Sequence, residues 1–155
     1  MIAAILEITL AYIAADFLSG MYHLVTDRGW NIPSQLSQFN NHHERPWTMT
    51  FDWEPLLAGL PMILAGWWLS IAFLVWLGVF LSLAQVPHYY AHHPAPRWIV
   101  FLQEADLILP VELHAAHHEP PHNKDFCVLS GWTNGLINAI EWMVPIRRSA
   151  SGGTA

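Results

Sequence analysis

Apolar residues dominate two stretches of this chain so fully that their lengths, before any periodicity, define the first elements. Met1 to Met21 holds only Glu7 and Asp16 as charged residues, and Leu56 to Val86 holds none. A membrane crossing takes roughly 20 apolar residues, so the first stretch predicts one transmembrane helix. It lacks the basic start of a secretory signal and has two acids inside it, so it is expected to stay as a helix. The second stretch is too long for one upright helix and short for two. A turn near Gly66-Trp67-Trp68, with the aromatic pair at the lipid interface, divides it into two spans, the first beginning near Phe51 or Asp52. That makes about three spans, the middle one short or partly re-entrant.

Downstream the pattern changes to short amphipathic pieces. Pro96 to Pro110 encloses a helix-length apolar segment with a polar strip at Gln103, Glu104 and Asp106, expected to lie along the membrane surface. Between Pro110 and Pro120-Pro121 there is room for two helical turns, bounded by residues that stop helices. Gly131 to Val144 has a helical apolar period, and Ser149 to Ala155 reads as a disordered tail. The predicted fold is an all-α membrane protein: one domain over residues 1–148, with interfacial and short cytoplasmic helices after the spans.

Composition agrees. Hydrophobic residues make up 54% of the 155 and charged residues only 12%, far from a soluble average. The net charge of −6 is spread over loops, and no basic stripe with interleaved aromatics suggests nucleic acid. Cys127 is the single cysteine, so neither an internal disulfide nor a cysteine-rich metal site can form; a structural thiol is expected.

The chemistry lies in the histidines, whose ten outnumber the six lysines and arginines. They cluster as His23, His42-His43, His88 with His92-His93, and His114 with His117-His118 and His122. Spacings of three and four put several imidazoles on one helix face, where they can present nitrogens to a common centre. His93 points off the His88–His92 face and precedes Pro94, which favours a structural or supporting role. On the first helix Asp16, Gly20, His23 and Asp27 form one stripe. An intramembrane acid is costly unless partnered, so Asp16 is a candidate acceptor for a ligand imidazole's N–H, with a helix-packing hydrogen bond equally open. For Asp27, ligation and capping are both open.

A metal site also bears on the topology. Were Leu56 to Val86 a single tilted span, His23 and His42-His43 would face the opposite compartment from His88 onward. A hairpin puts every histidine on one side. Arg28, Arg45, Arg97, Lys124, Arg147 and Arg148 then share that side, which is expected to be cytoplasmic. The imidazoles exceed what one tetrahedral ion uses, so two ions are implied. Ligand type leaves iron, copper and zinc open. A lipid-embedded, histidine-rich, cysteine-free site suits an oxygen-activating di-iron centre acting on an acyl or alkyl chain, since an unactivated C–H bond lies beyond side-chain acid–base chemistry.

Several runs also resemble the Kua-type lipid desaturase family, a histidine-box membrane family. They are Asp16-Phe-Leu-Ser-Gly-Met-Tyr-His23 with Asp27; Phe39-Asn-Asn-His42-His43 with Pro46; Gln85 with His88-x3-His92; Pro96 to Gln103; Ile108-Leu-Pro110; His114-x2-His117-His118; Pro121-His122; and Phe126 to Asn134. The resemblance covers residues 11 to 142. It implies a membrane desaturase that uses a histidine-bound di-iron centre and O2 to introduce a double bond into a lipid. Family members form the vinyl ether of plasmalogens, converting plasmanyl to plasmenyl lipid, or a trans double bond in a phosphatidylglycerol acyl chain. Carried over by position, the implied iron ligands are His23, His42, His43, His88, His92, His114, His117, His118 and His122. This chain departs from the family pattern at Phe51 and Asp106, where histidines are usual, and in a missing loop between the second and third spans; Asp106 could still bind a metal through oxygen, whereas Phe51 could not.

No segment resembles a haem or flavin domain, so electrons are expected from a separate cytochrome b5-like or ferredoxin-like donor. Trp30, Trp47, Trp53, Trp98, Trp132 and Trp142 read as interfacial anchors. The competing readings are a lipid hydroxylase with the same centre, a non-catalytic membrane metal-binding protein, and a zinc-dependent lipid hydrolase. For the last, only Glu44, Glu112 or Glu119 lies near enough in sequence to serve as base.

Overall fold

A computed structural model describes residues 1–28, 43, 51 and 54–143, and the described residues are helical, with no strand among them. His42, Trp30, Trp47, Trp53 and the tail from residue 149 lie outside the described residues. Helix α1 runs Ile2–Asp27, and its small and polar residues share one face: Ala11, Ala15, Asp16, Ser19, Gly20, His23 and Leu24 are buried. Steps of four carry this stripe along the whole lower helix. Ile2, Ile5, Leu6 and Leu10 are exposed on the opposite side, as a lipid-facing surface requires.

A 3-10 turn at Glu54–Leu57 leads into α2 (Leu60–Trp68), which reverses through Leu69, Ser70 and Ile71 into α3 (Ala72–Leu83). The reversal falls directly after Gly66-Trp67-Trp68, with Ser70 in the left-handed region at φ 56° and both tryptophans exposed. The two arms cross at glycines. A Cβ on Gly78 would sit 2.5 Å from the Gly59 carbonyl oxygen, and one on Gly59 would strike the Gly78 carbonyl. The Gly59 N–H donates to Ser82 Oγ at 3.2 Å beside this crossing. Helix α3 runs on into α4 (Gln85–His92) with a break at Ala84. Pro87 explains the break, because it has no N–H to offer the carbonyl one turn earlier.

Two helical stretches are long and apolar enough to cross a membrane, Ile2–Asp27 and Ala72–His92. The expected middle span is shorter than a crossing. Helix α2 has nine residues, about 13 Å at 1.5 Å per residue against a hydrocarbon core of about 30 Å. Among the described residues there are thus two full-length apolar helical stretches, with a half-length arm packed on the second.

Helix α5 (Arg97–Glu104) stops six residues before Pro110, short of the Pro96 to Pro110 segment expected to be helical. The reason is a helix-ending motif. The Asp106 N–H donates to Gln103 O and the Leu107 N–H to Leu102 O, with Asp106 at φ 54° in the position usually filled by glycine. Helices α6 (Val111–His117) and α7 (Asn134–Glu141) fall inside the segments predicted for them. Between them the segment 118–133 folds back along α1. Leu109, Val128 and Leu129 join Ala11, Ala15, Leu77 and Ala84 in one core, and Phe126, Cys127 and Ile137 enclose Leu24 in a second.

The glycine crossing makes a checkable contrast. Gly59→Val should destabilise the detergent-solubilised protein by about 1–3 kcal/mol, the usual effect of overpacking. Gly135→Ala, where an added Cβ meets nothing within 4 Å, should leave thermal unfolding unchanged or raise its midpoint slightly.

Candidate metal centre

Three helix ends bring the imidazoles together. Helix α1 contributes His23 and Asp27, α4 contributes His88 and His92, and α6 contributes His114 and His117 with His118 at its C-terminal cap. His23, His88, His114 and His117 are at most 1% exposed. The potential ligand atoms fall into two groups, each with its members within 4.8 Å of one another: His23, Asp27, His43 and His117; and His88, His92 and His114. The groups adjoin, with His23 and His88 ring centres 5.6 Å apart and His114 and His117 stacked at 5.6 Å. The His114-x2-His117-His118 box contributes to two adjoining groups of potential ligand atoms. It splits, giving His114 to one group and His117 to the other, so the short helix α6 spans both.

Backbone carbonyls orient the first group. His23 Nδ1 donates to Phe126 O at 2.9 Å and His117 Nδ1 donates to Lys124 O at 2.7 Å. With the Nδ1 protons committed there, both rings turn Nε2 inward, the nitrogen that would carry a lone pair for a metal. Asp27 Oδ2 lies 3.5 Å from His23 Nε2, 3.3 Å from His117 Nε2 and 3.0 Å from His43 Nε2. Lone pairs and a carboxylate crowded this closely repel one another unless protons or a cation lie among them, and the donor set fits a metal ion.

In the second group His92 Nε2 and His114 Nε2 approach to 2.8 Å, and His118 Nε2 comes within 3.2 Å of His114 Nε2. Two nitrogens bound at about 2.1 Å to one metal at right angles would sit about 3 Å apart, which matches. Burial, reinforced by the neighbouring imidazoles His88, His92, His23 and His118, holds the His114 pKa well below the usual histidine value. Its ring is thus neutral and able to ligate. His122 stands at the edge, its ring 4.5 Å from His43 and its Nδ1 3.3 Å from the His117 carbonyl.

The remaining candidates sit elsewhere. His93 stacks on Tyr89 at 4.2 Å and donates to the Tyr89 carbonyl. Asp106 is exposed in the α5 cap, where its carbonyl accepts from Trp132 Nε1 at 2.6 Å. Phe51 packs edge-on against Tyr89. Asp16 takes the packing role. Oδ1 accepts from the Ser130 and Gly131 N–H groups at 2.8 and 3.0 Å, and Oδ2 accepts from Thr133 N and Oγ1 at 2.9 and 2.8 Å. These donors satisfy a buried carboxylate without an imidazole.

Two asparagines assigned no role from the sequence pattern complete the arrangement. Asn134 Oδ1 accepts from Cys127 N at 2.9 Å, and Asn138 Oδ1 accepts from Asp125 N at 2.8 Å. They fix from α7 the loop whose carbonyls hold His117 and His23. Their step of four was the available signal. Arg28 and Glu141 pair across the same two helices.

Residues 12–146 match the lipid desaturase domain, and the chain belongs to that family. It is 27% identical to a plasmanylethanolamine desaturase of Myxococcus xanthus over 95% of this chain and 60% of the relative. It is 30% identical to the chloroplastic fatty acid desaturase 4 of Arabidopsis thaliana over 81% of this chain and 45% of the relative. Against plasmanylethanolamine desaturase 1 of Mus musculus the identity is 26%, over 88% of this chain and 60% of the relative. The chain thus spans about half to three fifths of these relatives' length. No solved structure matches it at a significant level.

Asn138→Ala should free the Asp125 N–H and loosen the Lys124 carbonyl, lowering metal affinity about 10-fold, as loss of partners behind ligands does. Competition with a fluorescent chelator measures it. Asp16→Ala should cost on the order of 3 kcal/mol or more in stability, because charged, buried hydrogen bonds are lost together. Chemical denaturation in detergent measures that.

Proposed function

We propose that this chain is an O2-dependent lipid desaturase whose two iron ions are held by His23, His43, His88, His92, His114, His117, His118 and His122, together with His42 and Asp27. The observation that carries the reading is the convergence of imidazole nitrogens from α1, α4 and α6 into two adjoining groups within a lipid desaturase domain. Bound there, iron would supply the oxygen activation and one-electron chemistry that protein side chains lack. The chain's own residues do the rest. Lys124 and Phe126 carbonyls keep His117 and His23 in the ligating tautomer, and the buried floor of Leu24, Phe126 and Ile137 keeps water from the α1 side of the centre.

The reaction removes two hydrogens from adjacent carbons of an alkyl or acyl chain. With two further electrons and two protons they reduce O2 to two waters, so a separate donor, cytochrome b5-like or ferredoxin-like, must supply the electrons. The names of the relatives point to two substrate kinds, a plasmanyl ether lipid that would become a vinyl ether and an ordinary fatty acyl chain. The basic Arg28, Arg97 and Lys124 on the histidine side support a cytoplasmic position for the centre.

Expression in cells lacking such an enzyme, followed by lipid mass spectrometry, tests the reading. Lipids lighter by two hydrogens should appear, remain with Gly135→Ala and vanish with His117→Ala. Hydroxylated lipids instead would make the protein a hydroxylase. An unchanged lipid profile with iron bound would make it a non-catalytic metal-binding protein.

A further inference from the structure

We propose that the cavity between α4, α5 and α6 binds a primary ammonium group, as carried by an amine lipid headgroup or by a small soluble amine. The cavity measures about 200 Å³, and its polar lining is Tyr90, His93, Gln103, Glu104 and Glu112. A pocket for a larger ligand runs to about 300 Å³ or more, so this one suits a headgroup.

The lining is made to accept hydrogen bonds. Gln103 is 5% exposed, and its Nε2 donates to the Leu109 carbonyl at 3.2 Å, which leaves Oε1 as its acceptor for the cavity. His93 Nδ1 donates to the Tyr89 carbonyl at 3.0 Å, which leaves Nε2. Glu104 and Glu112 add two exposed carboxylates. Glu104 stands in the last turn of α5, where a helix favours a base, so the helix itself gives no reason for an acid there. A positive charge with three N–H donors answers this set of groups.

Other ligands fit it less well. Among the described residues, the donor atoms that converge to within 4.8 Å form the two groups of the proposed metal centre, and His93, Glu104 and Glu112 belong to neither. Acceptors spread around a cavity suit an organic cation, whereas a metal ion needs them gathered at one point. A quaternary ammonium has no N–H to give and prefers a cage of aromatic faces. An anionic headgroup would meet two like charges.

The surroundings favour a lipid as the source. Val100, Gln103 and Glu104 share one face of α5 at steps of three and four and line the cavity, while Trp98 and Phe101 are 62% and 65% exposed. The cavity therefore adjoins an apolar ridge suited to the membrane surface. His93 follows His92 and Glu112 lies two residues before His114, so a lipid bound here would sit about one helix width from the centre. The inference rests on the function proposed above only for what such a lipid would undergo; the binding site itself needs no metal.

The test uses the full chain in detergent, with binding of short-chain phosphatidylethanolamine, phosphatidylcholine and phosphatidylglycerol followed by calorimetry. The wild type should bind the ethanolamine lipid about 10-fold more tightly than the other two, the worth of hydrogen bonds to a charged group. Glu104→Gln and Glu112→Gln should each weaken that binding about 3- to 5-fold, as exposed charge pairs do, and the double variant should bind all three lipids alike. Free ethanolamine identifies the source. Displacement of the lipid at equal concentration assigns the site to a soluble amine, and a lipid that stays bound assigns it to the headgroup; either result supports an ammonium site. Equal affinity of the wild type for the three lipids overturns the proposal, as does a preference that persists in the double variant. Iron per chain, measured on the same samples, decides the metal centre separately.

Discussion

A carboxylate placed midway along an apolar helix must be fully satisfied by hydrogen bonds, and the architecture depends on how Asp16 meets that requirement. It collects N–H and O–H groups from Ser130, Gly131 and Thr133, which ties the segment before α7 to α1 more than a hundred residues away in sequence. Small residues make room: Gly20 lies where a Cβ would come within 2.6 Å of Cys127 Sγ. With the segment anchored, the Phe126 carbonyl arrives opposite His23 and the Lys124 carbonyl opposite His117. One buried charge thus helps orient the His23 ring, about two helical turns further along α1, and the His117 ring on α6.

The centre itself works against folding. Acceptor atoms of three imidazoles and a carboxylate meet around one point, and three more imidazoles meet beside it. Such a cluster is stable only with positive charge among its members, so the binding free energy of the proposed metal would in part be folding free energy. The scaffold resists the repulsion with features that need no metal: the Asn134 and Asn138 brackets, the Arg28–Glu141 pair and the packed Leu24, Phe126 and Ile137.

Much of this was legible from residue order. Apolar length identified α1 and the α3–α4 stretch, and Trp67-Trp68 marked the hairpin turn to within a few residues. Histidine spacing identified the helix faces that gather. The rest depended on tertiary context. Hydropathy cannot separate a crossing from a half-length arm, because Gly59 and Gly78 pack α2 on α3 in either case. Asp16 lay on the same stripe as His23, so its periodicity could not tell an imidazole partner from a backbone one. Asp106 ended α5 by adopting a conformation usually left to glycine, and the box on α6 divided between two groups because a step of three turns a helix by 300° rather than a full circle.

Cys127 has a practical consequence. Its sulfur is buried, and its thiol donates to Thr133 Oγ1 within the Asp16 network at 3.2 Å. Burial first, then the negative Asp16, push its pKa above the ordinary thiol value, so almost none of it is the reactive thiolate at neutral pH. The native thiol should therefore react only slowly with maleimide reagents. Cysteines introduced one at a time along α1, the hairpin turn and α5 would each report their own compartment without background, in a protein that needs no prior mutation.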